Sequence, residues 1–339
     1  MYKVYPEGFD FTSYEQKYKD TFTVRITKAG NNNKNDQNLI DLHDEFTKIQ
    51  NWSEINKIKS LVKNFPSTLE DLLVLKPIEI CEIYLAFKQL NQNEQNKINS
   101  INFNYDIFKS RIYSFFIKYF SKLNVNTCFY CDINFINFYT KQIPVKQKIK
   151  TRIKTRIKKQ FDLDHFIPKQ HCKLFALCLY NFVPCCSNCN SGSKGSSFTY
   201  NCTNASELAS VFPTSKTYDW INNMKFKILP KKYDAIADLL YSENYKDFGI
   251  ELESSNKLYE EESNTFENLP KYDFFTKQFV NQIDKYRMYD KNFFYLFAQK
   301  LPIGTASFLY EAIFNNELRD YNQLPFKKIY KDIKDIFEN

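Results

Sequence analysis

The sequence has few glycines, few histidines and no long apolar run. Six glycines and three histidines occur among its 339 residues, whereas aromatic residues make up 17%. This composition excludes a disordered or low-complexity chain, which would be poor in aromatic residues. A chain of this length can bury a sizeable core, as one large domain or as two smaller ones.

The sequence also has no membrane-spanning segment, no signal peptide and no ATPase motif. No apolar run approaches the roughly 20 residues that a helix needs to cross a bilayer, and the N-terminal sequence MYKVYPEGFDF lacks the apolar core of a signal peptide. These absences predict a cytoplasmic protein without a membrane partner. The pattern GxxxxGK[ST] of P-loop ATPases does not occur, so we expect no motor activity from this chain itself.

The positive charge of the chain is concentrated in the segment 141–159. This segment has nine lysines and arginines and no acidic residue, so its net charge is +9. Because the net charge of the whole chain is +8, the remaining residues together carry −1. Within 145–154 basic residues alternate with others almost one by one, which predicts a single strand with a cationic face. We expect this face to bind nucleic-acid phosphates; the alternative is an exposed, solvated hairpin. The predicted contacts are Lys148, Lys150, Arg152, Lys154 and Arg156.

Helical periodicity dominates the two ends of the sequence. Apolar residues recur at i, i+3, i+4 and i+7 through much of 40–124, and a capping-box pattern stands at 67–70. Two more apolar stripes, at 306–314 and 326–337, predict helices near the end of the chain. The aromatic residues of these stripes are interpreted as core.

Strands are predicted mainly in the second half. The segments 224–229 and 248–252 have strand character, and the acidic segment 260–262 is predicted to be a solvated loop. Near the N-terminus, 2–11 and 22–29 could each form a short strand.

The nine cysteines include two Cys-x-x-Cys pairs. In a reducing compartment this arrangement favours metal ligation over a disulfide framework. A two-residue spacer lets both thiolates of a pair reach one tetrahedral zinc ion at about 2.3 Å. The predicted zinc ligands are Cys128, Cys131, Cys186 and Cys189. The alternative is that these are ordinary buried thiols, as we expect for the core or surface cysteines Cys81, Cys172, Cys178 and Cys202.

Two details of the cysteine pattern bear on the fold. The 54 residues between the pairs exceed a simple zinc ribbon, so a structural element must be inserted between them. Cys185 adjoins Cys186 and could replace it, although a three-residue spacer fits a zinc knuckle less well.

Further motifs surround the second cysteine pair. Leu-Asp-His-Phe-x-Pro-Lys stands at 163–169, and Tyr-Asn-Phe-Val-Pro-x-Cys-x-x-Cys-Asn follows at 180–190. Together with the first Cys-x-x-Cys, these motifs resemble the HNH nuclease family, whose fold is the ββα-metal finger. The resemblance covers about 125–200 and implies an α+β protein, with a mainly helical body and an inserted zinc-bound ββα-metal nuclease unit. The implied division is 1–124 (mainly helical), 125–200 (nuclease unit) and 201–339 (mixed, mainly helical).

The resemblance also implies roles for single residues. His165 would be the general base that activates water, and Asp164 and Asn190 would bind Mg²⁺ or Mn²⁺. Asn181 would hold the active-site loop through backbone hydrogen bonds. Lys194 would contact a phosphate, although it follows Asn190 by four residues where three is more usual. The chemistry agrees, since histidine can accept a proton near neutral pH and oxygen ligands suit a hard cation.

Each assignment has a simpler alternative or a competitor. His165 could be an ordinary core histidine. Asp162 is a competing metal ligand, because it would share a strand face with Asp164. His171 is the second choice for the base, and His43 is predicted to have no catalytic role.

The sequence therefore predicts an HNH endonuclease that hydrolyses the phosphodiester bonds of DNA with one divalent cation. Nucleases of this outline resemble those of bacterial anti-phage systems that act beside an ATPase subunit, such as Septu-type systems, so we expect such a partner. Two alternatives stay open: a non-catalytic, zinc-organised nucleic-acid-binding module, and an HNH nuclease that cleaves RNA.

Overall fold

The computed structural model of the chain divides into two compact units. It describes residues 4–6, 8–23, 34–123, 125–146, 151–198, 200–230, 248–288 and 325–338. What we call the helical unit lies within Lys3–Asn124 and Phe138–Asp219, and the C-terminal unit within Val125–Asn137 and Trp220–Asn339. Helices and small antiparallel sheets occur together, which confirms the α+β class. The division at 124 and 200 stays a prediction.

Helices form most of the helical unit. In chain order they are α1 (Phe11–Lys19), α2 (Lys34–Ile49), α3 (Ser53–Leu61), α4 (Leu69–Leu73), α5 (Pro77–Lys88), α6 (Gln92–Asn99), α7 (Tyr105–Tyr119) and α8 (Ala205–Ser210). The predicted helical character of 40–124 is confirmed. None of the helices in the described ranges is long and apolar enough to span a membrane.

Local sequence explains where these helices begin and which face they bury. Thr68 caps α4 by accepting a hydrogen bond from the Asp71 amide at 3.1 Å, one residue later than a cap at Ser67 would stand. Ile80 and Ile83 of the α5 stripe are fully buried, as the periodicity predicts. Before α1 the described residues form no strand, and most of 22–29 lies outside the described ranges.

The basic segment forms a hairpin and not one strand. Strand β1 (Phe138–Lys146) pairs antiparallel with β2 (Thr151–Lys159), with Lys146 opposite Thr151. The prediction of a single strand over 145–154 is therefore wrong. Period-2 alternation is the same in both arms of a hairpin, and 147–150 has no Gly, Pro, Asn or Asp to mark a turn. Lys148 and Lys150 lie outside the described residues.

A second, shorter hairpin carries the motif residues. Strand β3 (Asp162–His165) pairs antiparallel with β4 (Phe182–Cys185), with His165 opposite Phe182. Between them lie two 3₁₀ turns, Lys173–Phe175 and Leu179–Asn181. The chain then forms a π-helical turn at Asn188–Lys194. The ββα-metal unit implied by the resemblance stays a prediction, since the last of these elements is a single turn.

The C-terminal unit packs helices around one hairpin. Its elements are α9 (Trp220–Asn223), β5 (Met224–Pro230), β6 (Phe248–Ser254), α10 (Lys257–Thr265), α11 (Asn268–Asp273), α12 (Thr276–Met288) and α13 (Lys327–Glu338). Met224 stands opposite Ser254, so both strands predicted here are confirmed.

One prediction fails in this unit and another is confirmed in part. The acidic segment 260–262 is not a solvated loop: it belongs to α10, which Asn256 caps, and Glu262 is fully buried. Polar Glu262 and Ser263 complete the inner face that Leu258 and Tyr259 begin, so apolar periodicity alone did not reveal the helix. The stripe at 326–337 lies on α13 with its described apolar residues buried, and 306–314 lies outside the described ranges.

Candidate active site

The two Cys-x-x-Cys pairs lie in tight turns. The Cys128 amide donates a hydrogen bond to the Asn134 carbonyl at 2.7 Å, and the Asp132 amide donates one to the Cys128 carbonyl at 2.9 Å. Asp132 adopts a left-handed conformation, with φ of 53°, that closes this turn. In the second pair, the Asn190 amide donates to the Cys186 carbonyl at 3.0 Å as the π-helical turn begins. Each turn holds its two thiols close together.

The four predicted zinc ligands form one cluster. Their sulfur atoms all lie within 4.8 Å of one another, and all four residues are buried. Four thiolates at about 2.3 Å around a tetrahedral zinc ion would be roughly 3.8 Å apart. The cluster therefore fits a structural metal such as zinc, and the predicted pairing of the two motifs is confirmed.

The remaining cysteines are ordinary buried thiols. Cys185 is not in the cluster; its sulfur donates instead toward the Asp162 carbonyl, at 3.9 Å. Burial raises the pKa of Cys185 above the usual thiol range, chiefly because a thiolate would lose its hydration. The core cysteines are Cys81, Cys172, Cys178 and Cys202.

A cleft of about 270 Å³ in the helical unit is lined by several of the predicted catalytic residues. Asp164 and His165 reach it from β3, and Asn190 reaches it from the π-helical turn. Asp162 lines it too, because alternate residues of β3 share a face. The hairpin and the turn after it thus bring four predicted residues, separated by up to 28 positions, to one place.

His165 is fixed in orientation by its neighbours. Its Nε2 atom lies 3.0 Å from the Ala176 carbonyl oxygen, and its ring contacts those of Tyr105 and Phe182, each with centroids 4.9 Å apart. A carbonyl can only accept, so Nε2 carries the proton in the neutral ring and Nδ1 keeps the lone pair. Burial lowers the pKa of His165 to about 4, although the hydrogen bond to Ala176 opposes this shift. The imidazole is therefore neutral at neutral pH.

Asp164 is paired with a lysine. The Lys194 ammonium lies 2.5 Å from Oδ2 of Asp164 and also donates to the His165 carbonyl at 2.5 Å. Both side chains are nearly inaccessible, with exposed fractions of 4% and 5%. The ammonium predicted to contact a substrate phosphate thus lies against the carboxylate predicted to bind the cation.

Asp162 and Asn190 complete the set of oxygen ligands in the cleft. The Asn190 side-chain amide donates to Oδ2 of Asp162 at 3.4 Å, a long and weak hydrogen bond. Two carboxylates and one amide oxygen are the ligand types that Mg²⁺ and Mn²⁺ prefer. The side chains present therefore fit a hard divalent cation.

Asn181 does not line the cleft, but its side chain stabilises the backbone next to it. Its side chain is fully buried and makes three hydrogen bonds to the backbone. The Ile167 amide donates to Oδ1 at 2.9 Å, and Nδ2 donates to the carbonyls of Ile167 and Phe175 at 3.0 and 3.1 Å. These bonds fix the backbone that follows His165.

The cleft is also lined by two tyrosines and two lysines that were not predicted as site residues. Tyr105, Lys109 and Tyr113 come from α7, and Lys169 follows β3. Tyr113 accepts a hydrogen bond from the Leu163 amide at 3.1 Å, so it helps to position β3. The sequence did contain a signal for the α7 residues. Their spacing at i, i+4 and i+8 places one lysine between two tyrosines on the same face of the helix.

The other two histidines lie elsewhere. His171 is exposed and is not among the residues that line the cleft. His43, on α2, has Nε2 3.4 Å from the Phe22 carbonyl oxygen.

Compared with protein-family models, with curated proteins and with solved structures, the chain matches none of them significantly. A proposal about its function therefore depends on the chemistry of the cleft itself.

Proposed function

We propose that the chain is a metal-dependent endonuclease that hydrolyses the phosphodiester bonds of DNA in this cleft. The observation that carries the proposal is the convergence of His165 with the oxygen ligands Asp162, Asp164 and Asn190 on one cleft. A neutral imidazole can accept a proton from water, and hard oxygen ligands can hold a cation, so the cleft offers the groups that metal-dependent phosphodiester hydrolysis uses.

Asp164 and Asn190 would hold the cation, with Asp162 as the third oxygen ligand. A bound divalent cation would supply positive charge to offset the charge that develops on the scissile phosphate and on the leaving oxygen. Because the Lys194 ammonium lies on Asp164, the cation must share that carboxylate with it or displace it.

His165 would take a proton from the attacking water. Its Nδ1 atom holds the lone pair, since Nε2 donates to the Ala176 carbonyl. The rings of Tyr105 and Phe182 and the hydrogen bonds of Asn181 keep the imidazole and its backbone in place, so the base needs little rearrangement during the reaction.

The four-cysteine cluster has a structural role in this proposal. Four buried cysteines leave a zinc ion no open position for substrate, which is typical of structural zinc sites. An association with an ATPase subunit in anti-phage defence stays a prediction of the resemblance.

The test is cleavage of supercoiled plasmid DNA and of a structured RNA, each with Mg²⁺ or Mn²⁺ and each with EDTA. The proposal expects DNA to be cut only when the cation is present. Metal-dependent cleavage of RNA alone would favour the RNA nuclease. Binding of either nucleic acid without cleavage would contradict the proposal and favour the binding module.

A further inference from the structure

Two lysines flank the ring of Tyr105 in the cleft. The ammonium of Lys109, from α7, lies 5.9 Å from the ring centre, and that of Lys169 lies 5.2 Å from it. Both residues line the cleft. The edge of the same ring meets His165, with centroids 4.9 Å apart. A single tyrosine thus places two cations beside the proposed base.

The position of Tyr105 is determined by packing. The residue is buried, and its ring also contacts Phe182, with centroids 5.8 Å apart. A buried ring with fixed neighbours attracts the two ammonium groups that lie over it through cation–π interaction. Lys109 is nevertheless exposed and Lys169 half-buried, so both residues remain within reach of a ligand.

Little negative charge opposes these cations at the rim. Lys169 lies 3.7 Å from the Asp106 carboxylate, but that carboxylate is mostly exposed and the pair is weak in water. A third lysine, Lys159 of β2, lies over the Tyr113 ring at 3.1 Å from its centre. Burial, and then the charge of Lys109, lowers the pKa of Lys159, although the charge of Asp162 opposes this shift, so Lys109 and Lys159 are near enough to repel each other. An anion would relieve their repulsion.

We propose that Lys109 and Lys169 form a phosphate-binding subsite for the nucleic-acid backbone next to the scissile bond. The proposal rests on the proposed endonuclease function and extends it to two residues outside the predicted contacts. Carboxylates and Asn190 line the cleft for the cation, whereas the lysines at Tyr105 bind the neighbouring phosphate of the strand. Contacts of this kind position the substrate and do not read its base sequence.

The test is binding of a fluorescent DNA duplex, measured by anisotropy in EDTA over a series of salt concentrations. The cleft variant is Lys109→Gln/Lys169→Gln. Its matched control is Lys118→Gln/Lys122→Gln, because those two lysines flank the Tyr119 ring at 5.6 Å each and do not line the cleft.

The cleft variant is expected to bind at least tenfold more weakly at low salt. Two lost phosphate contacts should also reduce the slope of log affinity against log salt by about 1.8. Lys109→Arg/Lys169→Arg keeps both charges and is expected to restore the slope, which a merely structural role would not predict. Equal affinity and slope in the cleft variant and the control would overturn the subsite, as would failure of the arginine variant to restore the slope.

Binding in EDTA separates this proposal from the nuclease proposal. If the wild-type chain binds but never cleaves, the endonuclease proposal fails while the salt slopes still decide the subsite. If the wild-type chain cleaves and the cleft variant behaves like the control, only the subsite fails. A wild-type chain that binds no nucleic acid would overturn both.

Discussion

At the scale of single residues, the Lys194–Asp164 ion pair is a deeply buried pair of charges beside the cleft. Both charges are almost completely removed from water, so their attraction offsets part of the cost of burying them. The pair is also supported by the His165 carbonyl, which accepts a second hydrogen bond from the ammonium. Removing one partner of such a pair leaves an uncompensated buried charge.

We therefore predict that Lys194→Met lowers the free energy of unfolding by about 3 kcal/mol or more. Asp164→Asn combined with Lys194→Met should cost less than Lys194→Met alone, because no buried charge remains. The control is Lys57→Met, whose ion pair with Glu94 is largely exposed on the lysine side and should contribute much less to stability. Urea unfolding measures all three, and equal losses for Lys194→Met and Lys57→Met would contradict the prediction.

Adjacent cysteines allow an equally local test of the metal cluster. Cys186 belongs to the cluster and Cys185 does not, although both are buried. We predict that the purified chain carries one zinc ion and that Cys186→Ser loses it, because a hydroxyl is a poor substitute for a thiolate ligand. Cys185→Ser should keep its zinc. Elemental analysis decides this, and loss of metal from both variants or from neither would count against the cluster as assigned.

At the scale of secondary-structure elements, the strands of the β1–β2 hairpin carry seven basic residues and no acidic one, against a net charge of +8 for the whole chain. Its register places Arg156 opposite Lys141 and Lys154 opposite Ile143, so cationic positions of β2 follow one another along a two-stranded ribbon. A ribbon with this charge is suited to track a phosphate backbone without reading its sequence.

We predict that Arg152→Gln/Lys154→Gln/Arg156→Gln weakens DNA binding and reduces the salt slope by up to about 2.7. The control replaces three exposed helical lysines, Lys17, Lys48 and Lys88, by Gln. Anisotropy titrations compare the two triple variants. An unchanged slope in the hairpin variant, or the same reduction in the control, would remove the hairpin from the interface.

The elements also show what sequence patterns can and cannot determine. Helices α5 and α13 were predictable because their apolar stripes face a core. The pattern at 145–154 did not decide between one strand and the alternative hairpin, since alternation persists through both strands and no turn residue interrupts it. Helix α10 was missed because part of its buried face is polar, with Glu262 in the core.

At the scale of the whole chain, local spacing and tertiary contacts contribute differently to the site. The cysteine pairs were found by their spacing, whereas Asp164, His165 and Asn190 were found through the resemblance of the motifs around them. Lys109 and Tyr105 join the same cleft from α7, about 60 positions before β3, and only the packing of α7 on the hairpin brings them there. Their spacing places them on one face of α7, but it does not show that this face joins the cleft.

The buried ion pair of Lys194 and Asp164 was not foreseeable either. Lys194 was expected to contact substrate, and its sequence position alone does not show that its ammonium turns inward to Asp164. The π-helical turn at Asn188–Lys194 gives it that direction. The sequence thus pointed to the cleft residues of β3 and to Asn190, while the electrostatic arrangement of the site was not predictable.

The central claim is that His165 is the general base of a metal-dependent nuclease, and one plasmid-cleavage experiment tests it most directly. Wild type, His165→Ala and the control His171→Ala are compared with Mg²⁺ or Mn²⁺ and with EDTA; His171 is exposed and outside the cleft. Wild type and His171→Ala should cut the plasmid, EDTA should abolish cutting, and His165→Ala should be slower by about 100-fold or more. Equal cleavage by wild type and His165→Ala, or no cleavage by any of them, would contradict the claim.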